Sequence, residues 1–448
     1  MLMSRSLFIL TLSLLSVTIL ADAQDVKSWT LEDCINYALE QNIQVRKNAL
    51  SNQILEYQAE QIRAQRLPSL NGNIGQNFNW KRNTSVDGDG NIVYESGYTG
   101  GNSSSYSLSS AVTIFDASRL TNQIRQSEMD VESGRYNLEA TRELISLNIL
   151  NAFLQVLYAE EQVKNSEKQI ESTAEQVSLA EERLTLKAIS RSDFLQIRSQ
   201  LASEKLTLAN ARSQLAIARV NLMQLMELPV SENFAIDHPD LEAFLNQKLT
   251  PDVLEVFKTA LEIKPQIKNA EINKEIAFLD EKIARSGYFP SLSASAGLST
   301  SYSGNTGTAY FNQVGNGIIP SIGFSLSVPM YQKKQVKTNI AIARIGYQNA
   351  ELAETDVKNQ LRKSVEQASL DVYTAQTEYD ASLEKYQAME ESSLLSDEKF
   401  NQGIINSVDY LVSKTNLIVA ESQLLQSKYN LIFSYKILDF YMGIPFSL

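Results

Sequence analysis

Histidine and cysteine are almost missing from this sequence: its 448 residues include one of each, His238 and Cys34. A single cysteine excludes an internal disulfide framework. With one histidine and no phosphate-binding glycine loop, only carboxylates remain as candidate catalytic groups. They are scattered along solvated helical faces, so no catalytic constellation, cofactor site or metal site is found. Cys34 shares a helical face with Leu31, Ile35, Ala38 and Leu39, which reads as a small buried hydrophobe. His238, followed by Pro239 in a polar stretch, reads as a surface residue. Forty Lys and Arg against 52 Asp and Glu give a net charge of −12. No basic cluster offsets this, which argues against nucleic acid as a partner.

Long apolar runs are also missing, with one exception. Leu7 to Leu20 is almost unbroken, Arg5 precedes it, and Ala21-Asp22-Ala23 forms an A-x-A cleavage site before Gln24. Residues 1–23 therefore read as an export signal. Its removal takes away Arg5 and Asp22 together and leaves the net charge unchanged. The mature chain then has no spanning helix, and it can enter a membrane only as a closed β-barrel. Cys34 lies well beyond the cleavage site, so no lipoprotein anchor is expected.

Breakers are scarce in two stretches. Residues 117–228 contain no proline and one glycine, Gly134; residues 332–441 contain no proline and only Gly346 and Gly403. Long helices are predicted at about 117–187 and 332–402, with returns at about 191–228 and 407–441. Further helices are predicted at about 31–66 and 252–288. The long helices would reach roughly 105 Å, and each shorter pair laid end to end matches that height. Val163, Ile170, Val177 and Leu184 repeat every seven residues, with Tyr379, Tyr386, Ser393 and Phe400 at the equivalent positions of the second helix. That spacing predicts a coiled-coil seam.

The chain is duplicated. Phe115 to Pro229 lies on Tyr331 to Pro445 without a gap, matching Ile124/Ile340, Ala152/Ala368, Asp193/Asp409 and Met226/Met442. Upstream, Ala38-Leu39-Glu40 falls on Ala260-Leu261-Glu262 and Pro68-Ser69-Leu70 on Pro290-Ser291-Leu292, at a slightly different offset. The organisation read from this is a first repeat over 24–229, a linker over 230–250 and a second repeat over 251–448.

Each repeat carries a pair of alternating segments. Leu70, Ile74, Phe78 and Trp80 alternate with asparagine and glycine; Tyr106, Leu108, Val112 and Ile114 alternate with Ser105, Ser107, Ser109 and Ala111. In the second repeat Leu292, Ala294, Ala296, Leu298 and Tyr302 alternate with serine and glycine, as do Ile322, Phe324, Leu326 and Val328. One apolar face and one small polar face suit a lipid-facing strand around a hydrated lumen. A half-buried soluble sheet would give the same alternation. Phe78, Trp80, Tyr106 and Tyr302 fit an interfacial girdle. The joining segments, roughly 81–104 and 303–317, read as solvated loops. Asp87 to Asn91 faintly suggests a calcium loop, but Ile92 and Tyr98 stand where such a loop needs glycine and glutamate. Four strands cannot close a barrel, since bacterial barrels begin at about eight, so the strand reading requires several chains.

Gly323-Phe-Ser-Leu-Ser-Val-Pro-Met-Tyr-Gln332, running into a long helix, resembles the strand-to-helix junction of the TolC-like outer-membrane efflux protein family. Val112-Thr-Ile-Phe-Asp116 is its weaker counterpart. Trp29 to Asn42 is similar to the family's first helix. Phe400-Asn-Gln-Gly403-Ile-Ile-Asn-Ser407-Val-Asp409-Tyr-Leu411 resembles its tip motif. The resemblance implies a mainly α chain with membrane β: a homotrimeric 12-stranded β-barrel in outer-membrane lipid, continued by a 12-helix α-barrel in the periplasm. It further implies a passive exit channel for efflux or type I secretion, docked on a periplasmic adaptor and served by an inner-membrane transporter. The adaptor-docking tips would be Gly403, Ile404, Ser407 and Asp409, and in the first repeat Lys187, Ala188, Arg191 and Asp193. Lys187 stands where the motif has glycine, which leaves open whether the two turns share a geometry. Ser407 and Asp409 are placed to cap the returning helix. Asp397 and Glu398 are candidates for an acidic tip gate. The competing class is a periplasmic adaptor or coiled-coil scaffold, which would not need four barrel-patterned strands.

Overall fold

The computed structural model describes residues 28–94, 96–229, 234–241, 245 and 252–446. The expected signal segment and much of the 230–250 linker lie outside the described residues. A short strand β1 (Ser28–Trp29) leads into α1 (Leu31–Gln41) and α2 (Ile43–Ala64), then β2 (Ser69–Lys81), the small hairpin β3 (Thr84–Val86) and β4 (Ile92–Tyr94), and β5 (Thr99–Phe115). Two long helices follow, α3 (Arg119–Thr185) and α4 (Arg191–Leu225), and then β6 (Ala235–Ile236). The second repeat runs through α5 (Val253–Ile263), α6 (Pro265–Ser286), β7 (Ser291–Ser303), α7 (Tyr310–Asn316), β8 (Ile319–Ser327), α8 (Gln335–Asn401) and α9 (Ser407–Met442).

β2, β5, β7 and β8 form one antiparallel sheet in that order, leaving β2 and β8 as unpaired edges among the described residues. The register sorts the side chains as the alternation demands. Leu70, Ile74, Phe78 and Trp80 share a face with Tyr106, Leu108, Leu298, Ile322 and Phe324, and most of these are strongly exposed, Ile74 at 80% and Ile322 at 81%. The opposite face pairs Asn73 with Ser107, Ser107 with Ser299, and Gly297 with Ser321.

Each strand is continuous with one helix: α2 into β2, β5 into α3, α6 into β7 and β8 into α8. The helices pack in the matching lateral order α2–α3–α6–α8. Polar contacts join each neighbouring pair. Asn48 Nδ2 donates to Thr141 Oγ1 (2.6 Å) and Arg63 pairs with Glu128 (2.6 Å) across α2/α3. Ser133 Oγ donates to Asn269 Oδ1 (2.8 Å) and Gln126 Nε2 to Asp280 Oδ1 (2.7 Å) across α3/α6. Lys274 pairs with Glu354 (2.7 Å) across α6/α8. Gly134 also has a packing role, because a Cβ there would lie 2.3 Å from Asn52 Oδ1 and 2.8 Å from Leu55 on α2.

Both long helices have 67 residues, about 100 Å at 1.5 Å per residue. The helices expected at 31–66 and 252–288 are each broken in two, a correction to the sequence reading. Asn42 leaves the helix (φ −59°, ψ 128°) and its Oδ1 accepts from Gln44 N (2.9 Å) and Val45 N, starting α2 afresh. Lys264, at the equivalent place, is extended (φ −70°, ψ 125°) because Pro265 excludes the helical region for the residue before it. Both breaks abut the C-terminal end of a return helix. Asn42 Nδ2 donates to Leu225 O (3.2 Å), while the Lys264 ammonium lies 3.2 Å from the Phe440 ring centroid and 3.2 Å from Glu143 Oε2. Lys264 is 2% exposed; burial pushes its pKa down and that of Glu143 up, each opposed by the other's charge.

The main core sits at these breaks. Cys34, fully buried as expected, packs with Leu31, Ile35 and Ala38 against Ile149, Phe153 and Leu157 of α3 and Leu222 and Met226 at the end of α4. β1 pairs in parallel with β6, bringing Trp29 against Phe234 and Tyr37. His238 is exposed, with Nε2 3.2 Å from Glu160. The segments read as loops contain the β3–β4 hairpin and α7, and the strands run further than the alternation indicated. Asp87 Oδ1 accepts from the backbone of Asp89 and Asn91, which closes the turn between β3 and β4.

Replacing Asn42 by Ala should lower stability by about 1 kcal/mol through loss of the cap. Asn42→Asp should recover the cap portion but not the bond to Leu225. Chemical denaturation followed by circular dichroism measures both, and equal loss in the two variants would assign the effect to Leu225 alone.

Candidate functional site: the paired helical turns

Far from the sheet, α3 turns into α4 and α8 into α9, and the two turns lie side by side. In the second turn Gly403 is left-handed (φ 74°), Gly403 N donates to Phe400 O (3.1 Å) and Ile404 N to Lys399 O (2.8 Å). In the first, Lys187 is left-handed as well (φ 58°), with Lys187 N donating to Leu184 O (3.0 Å) and Ala188 N to Arg183 O (2.8 Å). Both are Schellman closures with the same bonds. The lysine thus adopts the glycine geometry, at a steric cost of roughly 1 kcal/mol. That answers the question the sequence left open about the first turn.

The caps differ from the sequence reading. Asn406, not Ser407, is the N-cap of α9: its Oδ1 accepts from Asp409 N (2.9 Å), and its Nδ2 donates to Asp409 Oδ2 (3.0 Å). Ser190 does the same for α4 in a capping box with Asp193. Ser407 is free of capping duty and crosses to the other repeat. Its hydroxyl is buried at 1% exposure, donates to Asp193 Oδ1, and sits 2.6 Å from Gln196 Oε1. The hydrogen bonds from Ser190 and then Ser407 hold the Asp193 carboxyl below the usual carboxylate range. Lys187, Ala188, Arg191, Gly403, Ile404 and Asp409 remain on the surface.

Sequence reasoning missed Arg183. Its guanidinium lies 5.9 Å from the Phe400 ring centroid, and it donates to Asn401 Oδ1 (3.1 Å), Asn401 O (3.4 Å) and Phe400 O (3.5 Å). A cation from the first repeat thus caps the C-terminal carbonyls of α8. Phe400 stacks on Tyr410 at 4.7 Å between centroids, and with Ala180 and Ile197 they form a small apolar core joining the turns. Nothing in the local sequence marks Arg183, because its partners lie in the other repeat.

Behind that core the four helices enclose charge. Glu204 of α4 and Lys414 of α9 are buried, and Asp397 of α8 is half-buried against Tyr410. Gln200 Nε2 donates to Glu204 Oε1 (3.0 Å), and Lys414 Nζ reaches Ser172 Oγ on α3 (3.4 Å). Burial lowers the Lys414 pKa, against the pull of Glu204 and Asp397. Burial also raises that of Tyr410, and the Asp397 charge adds to the effect. Of the two candidate gate residues, Asp397 therefore turns into this cluster while Glu398 is exposed. The predicted heptad is half of the seam. Val163, Ile170, Val177 and Leu184 are half-buried, and the deepest positions are the small residues Ala159, Ser166, Thr173 and Ala180, spaced four and three from them.

A sheet with one bare apolar face, continued strand by helix into columns of about 100 Å that end in joined turns, defines the class: a membrane barrel with a tall helical extension. Solved structures share this fold. A CusC structure aligns over 93% of this chain and 92% of its own, with a TM-score of 0.78 at 17% identity. The CmeC outer-membrane channel of Campylobacter jejuni aligns over 92% of this chain and 85% of its own (TM-score 0.74, 18% identity). The open state of the Neisseria gonorrhoeae MtrE outer-membrane channel aligns over 92% and 89% (TM-score 0.74, 19% identity). The chain belongs to the outer membrane efflux protein family, which it matches over residues 34–227 and 256–443. It is an outer-membrane exit channel.

A depressed carboxylate stabilises the fold above its unfolded pKa and loses that contribution as pH falls through the folded value. The Ser407–Asp193 link should therefore persist at neutral pH and fade only below the usual carboxylate range. Hydrogen exchange of the tip peptides should accelerate in that acidic window, and Asp193→Asn should abolish the pH dependence. A double-mutant cycle of Ser407→Ala with Asp193→Asn should show coupling of about 1 kcal/mol.

Proposed function

We propose that three copies of this chain close one barrel and one tunnel, and that the assembly receives cargo from a periplasmic adaptor and an inner-membrane transporter in efflux or type I secretion. The observation that carries this reading is the pair of unpaired edges, β2 and β8, on a sheet whose apolar face is bare. Open edges are untenable in hydrocarbon, where no water can satisfy backbone N–H and C=O groups. Edge β8 of one copy meeting edge β2 of the next is a head-to-tail contact, and rings are how such contacts close. Three copies supply twelve strands, above the minimum of about eight for a bacterial barrel. They also supply twelve columns in the upper wall, because each strand has its own helix. The serine and asparagine face then lines a hydrated lumen, and most of the chain stands in the periplasm.

The adaptor is assigned to the tips, at Lys187, Ala188, Arg191 and Asp193 of one turn and Gly403, Ile404, Ser407 and Asp409 of the other. Ile404 is 65% exposed at the end of the molecule, an apolar contact available to a partner. Ser407 acts indirectly, by holding the turns in register through Asp193. Glu398 is the better placed of the two acidic residues to face a lumen, with Asp397 committed to Tyr410.

In detergent extracts of the outer-membrane fraction the protein should run as a trimer by native mass spectrometry; a monodisperse periplasmic monomer would refute the closure argument. Gly403→Leu should impair export while trimers persist, because it puts apolar bulk on the tip surface assigned to the adaptor. The turn itself accepts a side chain at φ 74° for roughly 1 kcal/mol, as it does at Lys187. Undiminished export in that variant would remove the tip assignment and leave the barrel reading intact.

A further inference from the structure

The segment joining β7 to β8 folds back onto the barrel wall, and strand register shows which side of the wall it covers. Ile74, Tyr106 and Thr300 are paired neighbours across β2, β5 and β7, as are Gln76, Ser104 and Tyr302. Both rows have the parity of Leu70, Leu108, Leu298 and Ile322, the bare apolar face. The contacts that α7 makes with strand side chains fall on these rows. The Tyr310 hydroxyl meets that of Tyr106, the Tyr310 and Tyr302 rings lie 4.8 Å apart, and Thr300 Oγ1 donates to Val314 O (2.8 Å). Gln313 ties the segment to the strand end, donating to Ser303 O (3.1 Å) and accepting from Ser303 N (3.0 Å).

Most of this face is apolar, but the rows that meet α7 carry Ser104 and Thr300, hydroxyls that hydrocarbon would not tolerate bare. α7 lies against both: Ser104 is 4% exposed and donates to Gln76 Oε1 (2.5 Å), Thr300 is half-buried, and Gln76 itself stays exposed. Phe311, next to Tyr310 and edge-on to its ring at 5.4 Å, points away at 85% exposure. We propose that α7 is a lipid-facing anchor, lying on the outer surface of the barrel at its extracellular rim and presenting Phe311 to the acyl chains just below the outer-leaflet headgroups. Among the described residues the first repeat has no counterpart, since its joining segment forms the β3–β4 hairpin instead. The outward position is continuous with the lipid-facing face and rests on the barrel reading above. Aromatic side chains with a polar neighbour favour this depth.

Nitroxide labels test the assignment in full-length protein reconstituted in lipid bilayers. Labels at Phe311→Cys, Ile74→Cys, Ser105→Cys and Gly88→Cys, in a Cys34→Ala background, are read by collisional access to oxygen and to a water-soluble nickel chelate. The oxygen-to-nickel ratio at 311 should approach that at 74 and exceed those at 105 and 88 severalfold. A ratio at 311 like that at 88 or 105, with 74 still lipid-like, would overturn the anchor and place α7 in water or in the lumen. An aqueous ratio at 74 itself would instead overturn the barrel reading on which the anchor rests.

Discussion

Backbone hydrogen bonding without water is the constraint on which this architecture depends. The sheet pairs every strand internally except along β2 and β8. Inside a bilayer those two edges must meet partners of the same kind. The polypeptide is built so that the need extends down the molecule. Because α2, α3, α6 and α8 follow the lateral order of the strands they join, an edge strand always lies above an edge helix. α2 carries exposed Leu50, Ile54 and Tyr57, and α8 carries exposed Ile342, Ile345 and Leu352. The side chains left bare on the outer helices thus repeat, in apolar surface, what the outer strands leave bare in backbone groups.

Passing from strand to helix in one column requires a sharp change of direction, and the chain makes it the same way twice. Ala117 and Ser118 are both left-handed (φ 54° and 64°), as are Lys333 and Lys334 (φ 49° and 66°). None is glycine, so each pair is strained by roughly 1–2 kcal/mol per residue. The helix starts are tied down around them: Leu120 N bonds Asp116 Oδ2 (2.8 Å) in one repeat, and Gln332 Nε2 bonds Gly287 O (3.2 Å) in the other. Asp116 and Gln332 are equivalent in the duplication and do different chemistry for one geometry. Asn42 and Lys264 repeat the pattern at the helix breaks, as do Lys187 and Gly403 at the turns. Duplication has preserved backbone conformation while side chains diverged.

That divergence explains what the sequence made legible. Strand faces, long helices and the two-copy plan follow from periodicities of two, seven and a whole repeat, and each is visible in one stretch of chain. The breaks at Asn42 and Lys264 were hidden because the apolar pattern of α1 and α5 continues into the next helix. Pro265 was the available signal for the second break. The missed cap at Asn406 was legible in principle, since Asn406 to Asp409 repeats the spacing of Ser190 to Asp193. The bonds that join the two turns were not, because Arg183 with Asn401 and Ser407 with Asp193 are partners more than two hundred positions apart. Half of the seam escaped for another reason: Ser166, Thr173 and Ala180 are small, and a search for large apolar residues passes over them.

Small seam residues also govern what the helical ends can do. A seam of Ala, Ser and Thr brings helices close with little apolar area buried, so hydrophobic burial contributes less there than in the core around Phe153. Polar contacts supply the specificity instead: Lys414 between Glu204 and Asp397, Ser407 on Asp193, Arg183 on the end of α8. Such contacts are directional, and a buried charge that loses its partner is strongly destabilising. The middle of the wall is thus held chiefly by apolar packing around Phe153, and the hairpin ends by directional polar contacts.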